Sequence, residues 1–239
     1  MTATLFRSDP YLREAPGRVT AVLPEGGVVL SASLFYPRGG GQPGDTGRLD
    51  WPGGGMRVSD TVKEGDESIV LLPAEGDPRP EVGMPVTQVL EWERRHLHMR
   101  IHTALHLLSV VIPLPVTGGA IGAGKGRLDF DMPDAPENKT ELERALNDLV
   151  MRDLPVTEDW ITDEELQANP GLVKTMSVAP PMGAGRVRLI RIGEGETQID
   201  LQPCGGTHVR RTGEIGQIRL GKIEKKGRQN RRVTLELAG

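Results

Sequence analysis

Two histidines four residues apart, His102 and His106, and a downstream Cys-x-x-x-His pair, Cys204 and His208, are the side chains whose types and spacing point most directly to chemistry. Three imidazoles and a thiolate form a borderline-soft nitrogen and sulfur donor set, suited to one tetrahedral Zn²⁺ per chain. A His-x-x-x-His pair by itself is more often two surface or core histidines than a metal site. Joined to the only cysteine of the chain at Cys-x-x-x-His spacing, it points to a metal. The zincin pattern is excluded, because Thr103 stands where that motif needs a glutamate base.

A helix must position the pair. From about 91 to 112, Leu97, Ile101, Ala104, Leu105, Leu108, Val111 and Ile112 recur at helical spacing, and Pro113 and Pro115 end the run. At roughly 40° apart on successive turns, both imidazoles can reach one ion at about 2.0–2.1 Å. They lie beside the apolar stripe, so another segment must cover them. The Cys204–His208 stretch is that cover, with Gly205 and Gly206 expected to permit a tight turn. His96 and His98 are expected on the helix surface. Each ligand imidazole also needs a partner for its second nitrogen. Thr103, Gln42 and Asp200 are the polar residues nearest the motifs and are read as catalytic, substrate-orienting candidates.

His102-Thr-Ala-Leu-His-Leu-Leu108 and Cys204-Gly-Gly-Thr-His-Val209 resemble the two zinc motifs of the alanyl-tRNA synthetase editing domain and of its free-standing relatives, the AlaX editing proteins. Phe35-Tyr-Pro-Arg-Gly-Gly-Gly-Gln-Pro-Gly-Asp-Thr-Gly47 is similar to the family's glycine-rich motif, and the three stand in family order. The resemblance, to the medium-length type, implies a zinc-dependent deacylase with aminoacylated tRNA(Ala) as partner. Its targets would be chiefly Ser-tRNA(Ala), then Gly-tRNA(Ala). It also implies that Gly39, Gly40, Gly41, Asp45 and Thr46 wall the substrate pocket with Gln42, and that Gly205, Gly206 and Thr207 touch substrate. A non-catalytic zinc module that binds RNA and an editor of another mischarged tRNA, the threonine system above all, are the rival readings. Four protein ligands would close the coordination sphere, whereas catalytic zinc usually keeps one position open. Either a ligand is displaced or the metal positions substrate.

The chain has 239 residues, enough for one large or two modest domains. Aromatics are only 3%, so Leu, Val, Ile and Met must fill the cores. A single cysteine excludes an internal disulfide and fits a reducing cytosol. Residues 1–14 carry charges and no apolar run, so neither a leader nor a membrane span is expected and the protein is read as cytoplasmic. Activation and tRNA-binding domains would not fit beside an editing domain at this length, so action in trans is expected. The net charge of −4 argues against nucleic acid, but residues 209–233 hold nine basic side chains against two acidic ones, an excess suited to phosphate. No aromatics interleave them, so base stacking is not expected there.

The fold class expected is α+β, an N-terminal small antiparallel β-barrel over 1–88 followed by a helix-on-sheet zinc-binding editing domain over 89–239. The barrel strands are placed at 19–23, 27–34, 47–51, 56–62 and 68–72, with 75–87 a linker. Gly39-x-Gly41-x-x-Gly44 matches a dinucleotide fingerprint only formally: Pro43 interrupts it and no helix follows. Further on, strands are expected at 117–121, 126–130, 187–192, 197–201, 215–223 and 232–237. A second helix is carried by Leu142, Ala145, Leu146, Leu149 and Val150, capped by Asp134-x-x-Glu137 or Thr140-x-x-Glu143. A shorter one opens at Thr162-x-x-Glu165.

Overall fold

The computed structural model describes residues 2–65, 68–136, 138–174 and 185–238. It is mixed α+β and divides into two compact units, Met1–His96 and Leu97–Gly239.

The first unit runs β1 (Ala3–Thr4), α1 (Leu5–Ser8), β2 (Glu14–Val22), β3 (Val28–Leu30), β4 (Ala32–Ser33), β5 (Gly47–Trp51), β6 (Gly54–Glu64), β7 (Ser68–Pro73) and β8 (Pro85–Leu90). Six of these strands close a barrel in the order β2-β3-β7-β6-β5-β8, every neighbouring pair antiparallel. The short β1 pairs in parallel with β4 outside it. Inward residues alternate along the strands as period two requires, with Val28, Leu30, Leu49, Met56 and Leu71 almost fully buried. The expected linker 75–87 is corrected here: its last residues begin β8, which pairs with both β2 and β5 and closes the barrel. A polar residue in the inward row of Val86, Gln88 and Leu90 disguised that strand. Gln88 is fully buried and is satisfied locally, accepting from the Leu34 N–H at 2.8 Å and donating to the Pro16 and Ala32 carbonyls.

The helix α2 (Trp92–Val111) leads from one unit into the next. There follow β9 (Val116–Ile121), β10 (Lys125–Asp131), α3 (Lys139–Met151), β11 (Val156–Thr162), α4 (Asp163–Ala168), β12 (Arg186–Ile192), β13 (Asp200–Pro203), β14 (Ile218–Lys225) and β15 (Asn230–Leu237). They form a four-stranded sheet, β14-β15-β10-β9, and a three-stranded one, β11-β12-β13. The apolar stripe of α2 lies on the first sheet at Gly126, where an added Cβ would stand 2.5 Å from Ile101 Cγ2 and 3.2 Å from Leu105 Cδ1. Only a residue without a side chain lets the helix come that close. α3 covers the β14 edge, since Glu143 Oε2 accepts from the Leu220 N–H and the Asn147 side chain pairs with both backbone groups of Ile218.

Several local expectations change. α3 is capped by Asn138, whose side chain accepts from the Glu141 N–H at 3.1 Å; Thr140 lies inside the helix and Glu137 lies outside the described residues. The Thr162–Glu165 capping box is present, with bonds of 2.8 and 3.1 Å. β11 escaped the sequence reading because Val-Thr-Glu-Asp-Trp-Ile-Thr has no clean apolar alternation. It is held by its pairing with β12 and by Glu158 and Asp159 accepting from Arg188 and Arg191. His98 is 1% exposed and His96 half-buried, stacked on Trp92 at 5.1 Å, so neither is the surface residue expected. The middle of α2 is covered around its whole girth, and a one-sided stripe misreads such a helix. Among the described residues no helix is long and apolar enough to cross a membrane.

Candidate metal centre

α2 presents His102 and His106 on successive turns, and the segment that continues β13 brings Cys204 and His208 over them. The four potential ligand atoms lie within 4.8 Å of one another. Cys204 Sγ is 3.3 Å from His102 Nε2 and 3.2 Å from His208 Nε2. Ligands at about 2.3 Å (sulfur) and 2.0–2.1 Å (nitrogen) from a tetrahedral zinc would be separated by roughly 3.3–3.6 Å, so these spacings suit a shared ion. The three imidazoles are buried, 4–8% exposed, and Cys204 is half-buried.

The outward side of the cluster fixes which nitrogen faces inward. His106 Nδ1 lies 2.9 Å from Asp200 Oδ2, and a carboxylate can only accept, so Nδ1 carries a proton and Nε2 is the nitrogen left to face a metal. Asp200 also accepts from Gln202 Nε2 at 2.8 Å and from Lys174 Nζ at 2.5 Å. His208 Nδ1 lies 3.2 Å from Thr103 Oγ1, whose own proton goes to the Met99 carbonyl at 3.0 Å. That hydroxyl therefore accepts from the His208 ring, and His208 Nε2 is also left with its lone pair. Thr103 and Asp200, expected to orient substrate, are thus engaged with the ligand rings. Arg188 of β12 donates to the Cys204 and Gly206 carbonyls at 3.0 and 2.9 Å and holds the ligand turn in place.

Charge follows this arrangement. Burial alone would raise the Cys204 thiol, but the His102 and His208 charges hold it well below its ordinary value. Burial and the neighbouring His102 push His208 well below the usual imidazole range. Burial also works to lower His106, yet its hydrogen bonds to Asp200 and Cys204 and their charges raise it to about 9. Asp200 is buried, which works against ionisation, but His106 and Lys174 hold it down at about 2. A thiolate ringed by imidazoles is the donor state a thiophilic divalent cation requires, so the residues fit zinc.

Gly205 and Gly206 lie in the segment that brings Cys204 and His208 to the same point, and neither has positive φ. Among the described residues nothing lies within 4 Å of a Cβ built on Gly205. Thr207 is 2% exposed between Gly206 and the ligand His208.

The glycine-rich residues belong to the N-terminal unit. Gly39 and Gln42 exchange backbone hydrogen bonds of 3.0 Å across Gly40 and Gly41, both at positive φ, a two-residue turn that disfavours side chains. Gly39, Gly40 and Gly41 are exposed and Gln42 is buried. Asp45 accepts from the Tyr36 N–H at 2.6 Å and from Arg95, and Thr46 donates to Glu91. Both side chains are thereby engaged inside their own unit. Gly44 and Gly47 answer to packing, each lying too close to neighbouring backbone to admit a Cβ.

Sequence reasoning missed Gln202, Lys174 and Arg188. One signal was available for the first: Asp200, Gln202 and Cys204 are alternate residues of an extended segment and point the same way. Lys174 and Arg188 arrive through tertiary contact alone.

Known proteins are similar to this chain in sequence. A family model described as threonyl and alanyl tRNA synthetase second additional domain matches residues 187–234, and one described as tRNA synthetases class II (A) matches residues 16–94. The alanine-tRNA ligase of Pyrobaculum arsenaticum is 38% identical over 94% of this chain, which spans only 25% of the ligase. The alanyl-tRNA editing protein AlaX-M of Methanosarcina acetivorans is 34% identical over 99% of both chains, and that of Methanosarcina mazei is 34% identical over 99% of this chain and 97% of its own. These matches place the molecule in the class of proteins related to the alanyl-tRNA synthetase editing domain. Within it, the chain belongs to the AlaX-M family of alanyl-tRNA editing proteins.

Proposed function

We propose that this protein hydrolyses the aminoacyl ester of mischarged tRNA(Ala), Ser-tRNA(Ala) ahead of Gly-tRNA(Ala), with Zn²⁺ held by His102, His106, Cys204 and His208. The observation that carries the reading is the convergence of those four donors on one point. Zinc there would supply Lewis-acid polarisation of an ester carbonyl or a lowered pKa for water. In the net reaction, water adds at the ester carbonyl carbon, the bond to the ribose oxygen breaks, and that oxygen leaves with a proton.

The protein's own groups prepare the site. Asp200, with Gln202 and Lys174, sets the tautomer of His106, and Thr103 sets that of His208. Both act as positioning residues. Gly205, Gly206 and Thr207 are assigned to the aminoacyl group, with the bare Gly205 backbone leaving room for it. The exposed Gly39–Gly41 turn and Gln42 are assigned to substrate contact on the motif resemblance, with Asp45 and Thr46 supporting that segment from within. Selection of serine over alanine fits a site that hydrogen-bonds the serine hydroxyl, because alanine would leave the buried partner unsatisfied.

Deacylation of Ser-, Gly- and Ala-tRNA(Ala) and of Ser-tRNA(Thr), with bound zinc measured in parallel, tests the proposal. Ser-tRNA(Ala) should be cleaved and Ala-tRNA(Ala) spared. Cys204→Ala should abolish turnover, and Gly205→Val should lower it while zinc content and melting temperature hold. A zinc-replete protein that cleaves none of them would be an RNA-binding module, and preference for Ser-tRNA(Thr) would move it to the threonine system.

A further inference from the structure

The four-stranded sheet has a face that the metal centre does not use. Gly126 on β10 faces α2, so its neighbours Lys125 and Arg127 point away from that helix. Cross-strand register sets Glu236 opposite Lys125 and Arg232 opposite Asp129 on the same side. Lys222 joins them from β14, and Lys139 from the start of α3. Together they line a shallow concavity of about 860 Å³ in which five cations, Lys125, Arg127, Lys139, Lys222 and Arg232, outnumber two carboxylates, Glu224 and Glu236. In a chain of net charge −4 this is a local reversal of sign.

Only two of the five, Lys222 and Arg232, come from the basic run at 209–233, which strand alternation breaks up. Arg231 turns to the opposite side, is 9% exposed, and donates to the Gly227, Asn230 and Pro133 carbonyls. Arg211 pairs with Asp153. On the cationic face, Asp129 accepts from Arg127 at 2.6 Å and from Arg232 at 2.8 and 2.9 Å, which fixes two guanidinium groups side by side. Lys125 pairs with Glu236 at 2.7 Å. Among the described residues, Lys139 and Lys222 have no acidic partner, and both are exposed.

We propose that this face binds the phosphodiester backbone of the RNA substrate; the inference rests on the editing reading for the identity of that RNA. Pre-oriented guanidinium groups and free ammonium groups suit phosphate oxygens. The lining has no aromatic ring and one apolar side chain, Ile223, so it offers neither a stacking platform for bases nor an anchor pocket for a protein partner.

The test is binding rather than turnover. Fluorescence anisotropy with uncharged tRNA(Ala) transcript, over a salt series, compares the wild type with Lys139→Glu/Lys222→Glu. A control of identical charge change, Arg48→Glu/Lys63→Glu, sits on exposed barrel positions. The first pair should weaken binding roughly tenfold and flatten the salt slope by about one per lost phosphate contact, while the control stays near wild type. Equal weakening by both pairs, or none by the first, overturns the assignment. So does polyglutamate binding at this face with no RNA binding, which would make it a dock for an acidic protein. Loss of RNA affinity in the first pair together with absent deacylation by the wild type would retain this surface and discard the editing reading.

Discussion

Near its start α2 buries Arg95 against Asp45, at 0 and 1% side-chain exposure; further along it buries His102 and His106 against Cys204 and His208. Both are polar centres in apolar surroundings, yet they are completed in different ways. The guanidinium of Arg95 meets both Asp45 oxygens and the Pro10 and Leu34 carbonyls, so each of its nitrogens has an acceptor within the chain. The second centre turns atoms able to ligate a metal toward one another, a thiolate and imidazole nitrogens, with Nδ1 of His106 and of His208 directed outward to Asp200 and Thr103. A centre that matches donors with acceptors serves the fold. One that gathers a thiolate and three imidazoles offers a cation the place of the His106 ring proton, which is why the second centre reads as a candidate ligand site.

The sharpest way to break that contrast is Arg95→Met. It leaves a buried carboxylate without its counter-charge and should cost about 3–5 kcal/mol in denaturant unfolding, with bound zinc per folded molecule unchanged. Chelation should do the opposite to the other centre. Zinc at a thousandfold excess over Kd should add about 4 kcal/mol to stability in thermal melts, and the gain should vanish in His106→Ala. If His106→Ala retained it, the cluster would not be the metal site.

A finer test is Asp200→Asn, which should weaken zinc binding by about 10–100-fold in competition with a chromophoric chelator. In the metal-free protein its pH signature is definite. Asp200 is held at about 2, so its contribution is present above the unfolded value of about 4 and is lost as pH falls through 2. His106 is raised to about 9, so its contribution is full below about 6.5 and is lost as pH rises through 9. Asp200→Asn should flatten both limbs of the stability profile. The smallest effect belongs to Thr103→Val, which deletes the hydroxyl between Met99 and His208 and should cost about 1 kcal/mol with a weaker loss of zinc affinity than Asp200→Asn.

The same contrast separates what was legible from what was not. The candidate ligand set could be read because helical periodicity puts His102 and His106 on one side and a short Cys-x-x-x-His segment keeps its two side chains together. The barrel was legible from its hairpin glycines, except for β8, where a buried, locally satisfied Gln88 replaced an apolar residue. Arg95 and Asp45 gave no sign of pairing, because no local period links residues so far apart in sequence.

Residue types and short-range spacing thus determined, unaided, which four side chains come together as a group that could hold a metal ion, that an α-helix carries two of them, and that a small antiparallel barrel precedes it. Tertiary structure alone decided that Asp200 and Thr103 serve the ligand rings, that Lys174 and Arg188 back them, and that cations from β10, α3, β14 and β15 share one face. The physical reason is range. Helical and strand periods act over a few residues, whereas the register of β12 on β13 and the packing of α2 on Gly126 are set by burial and hydrogen bonding between segments distant in the chain.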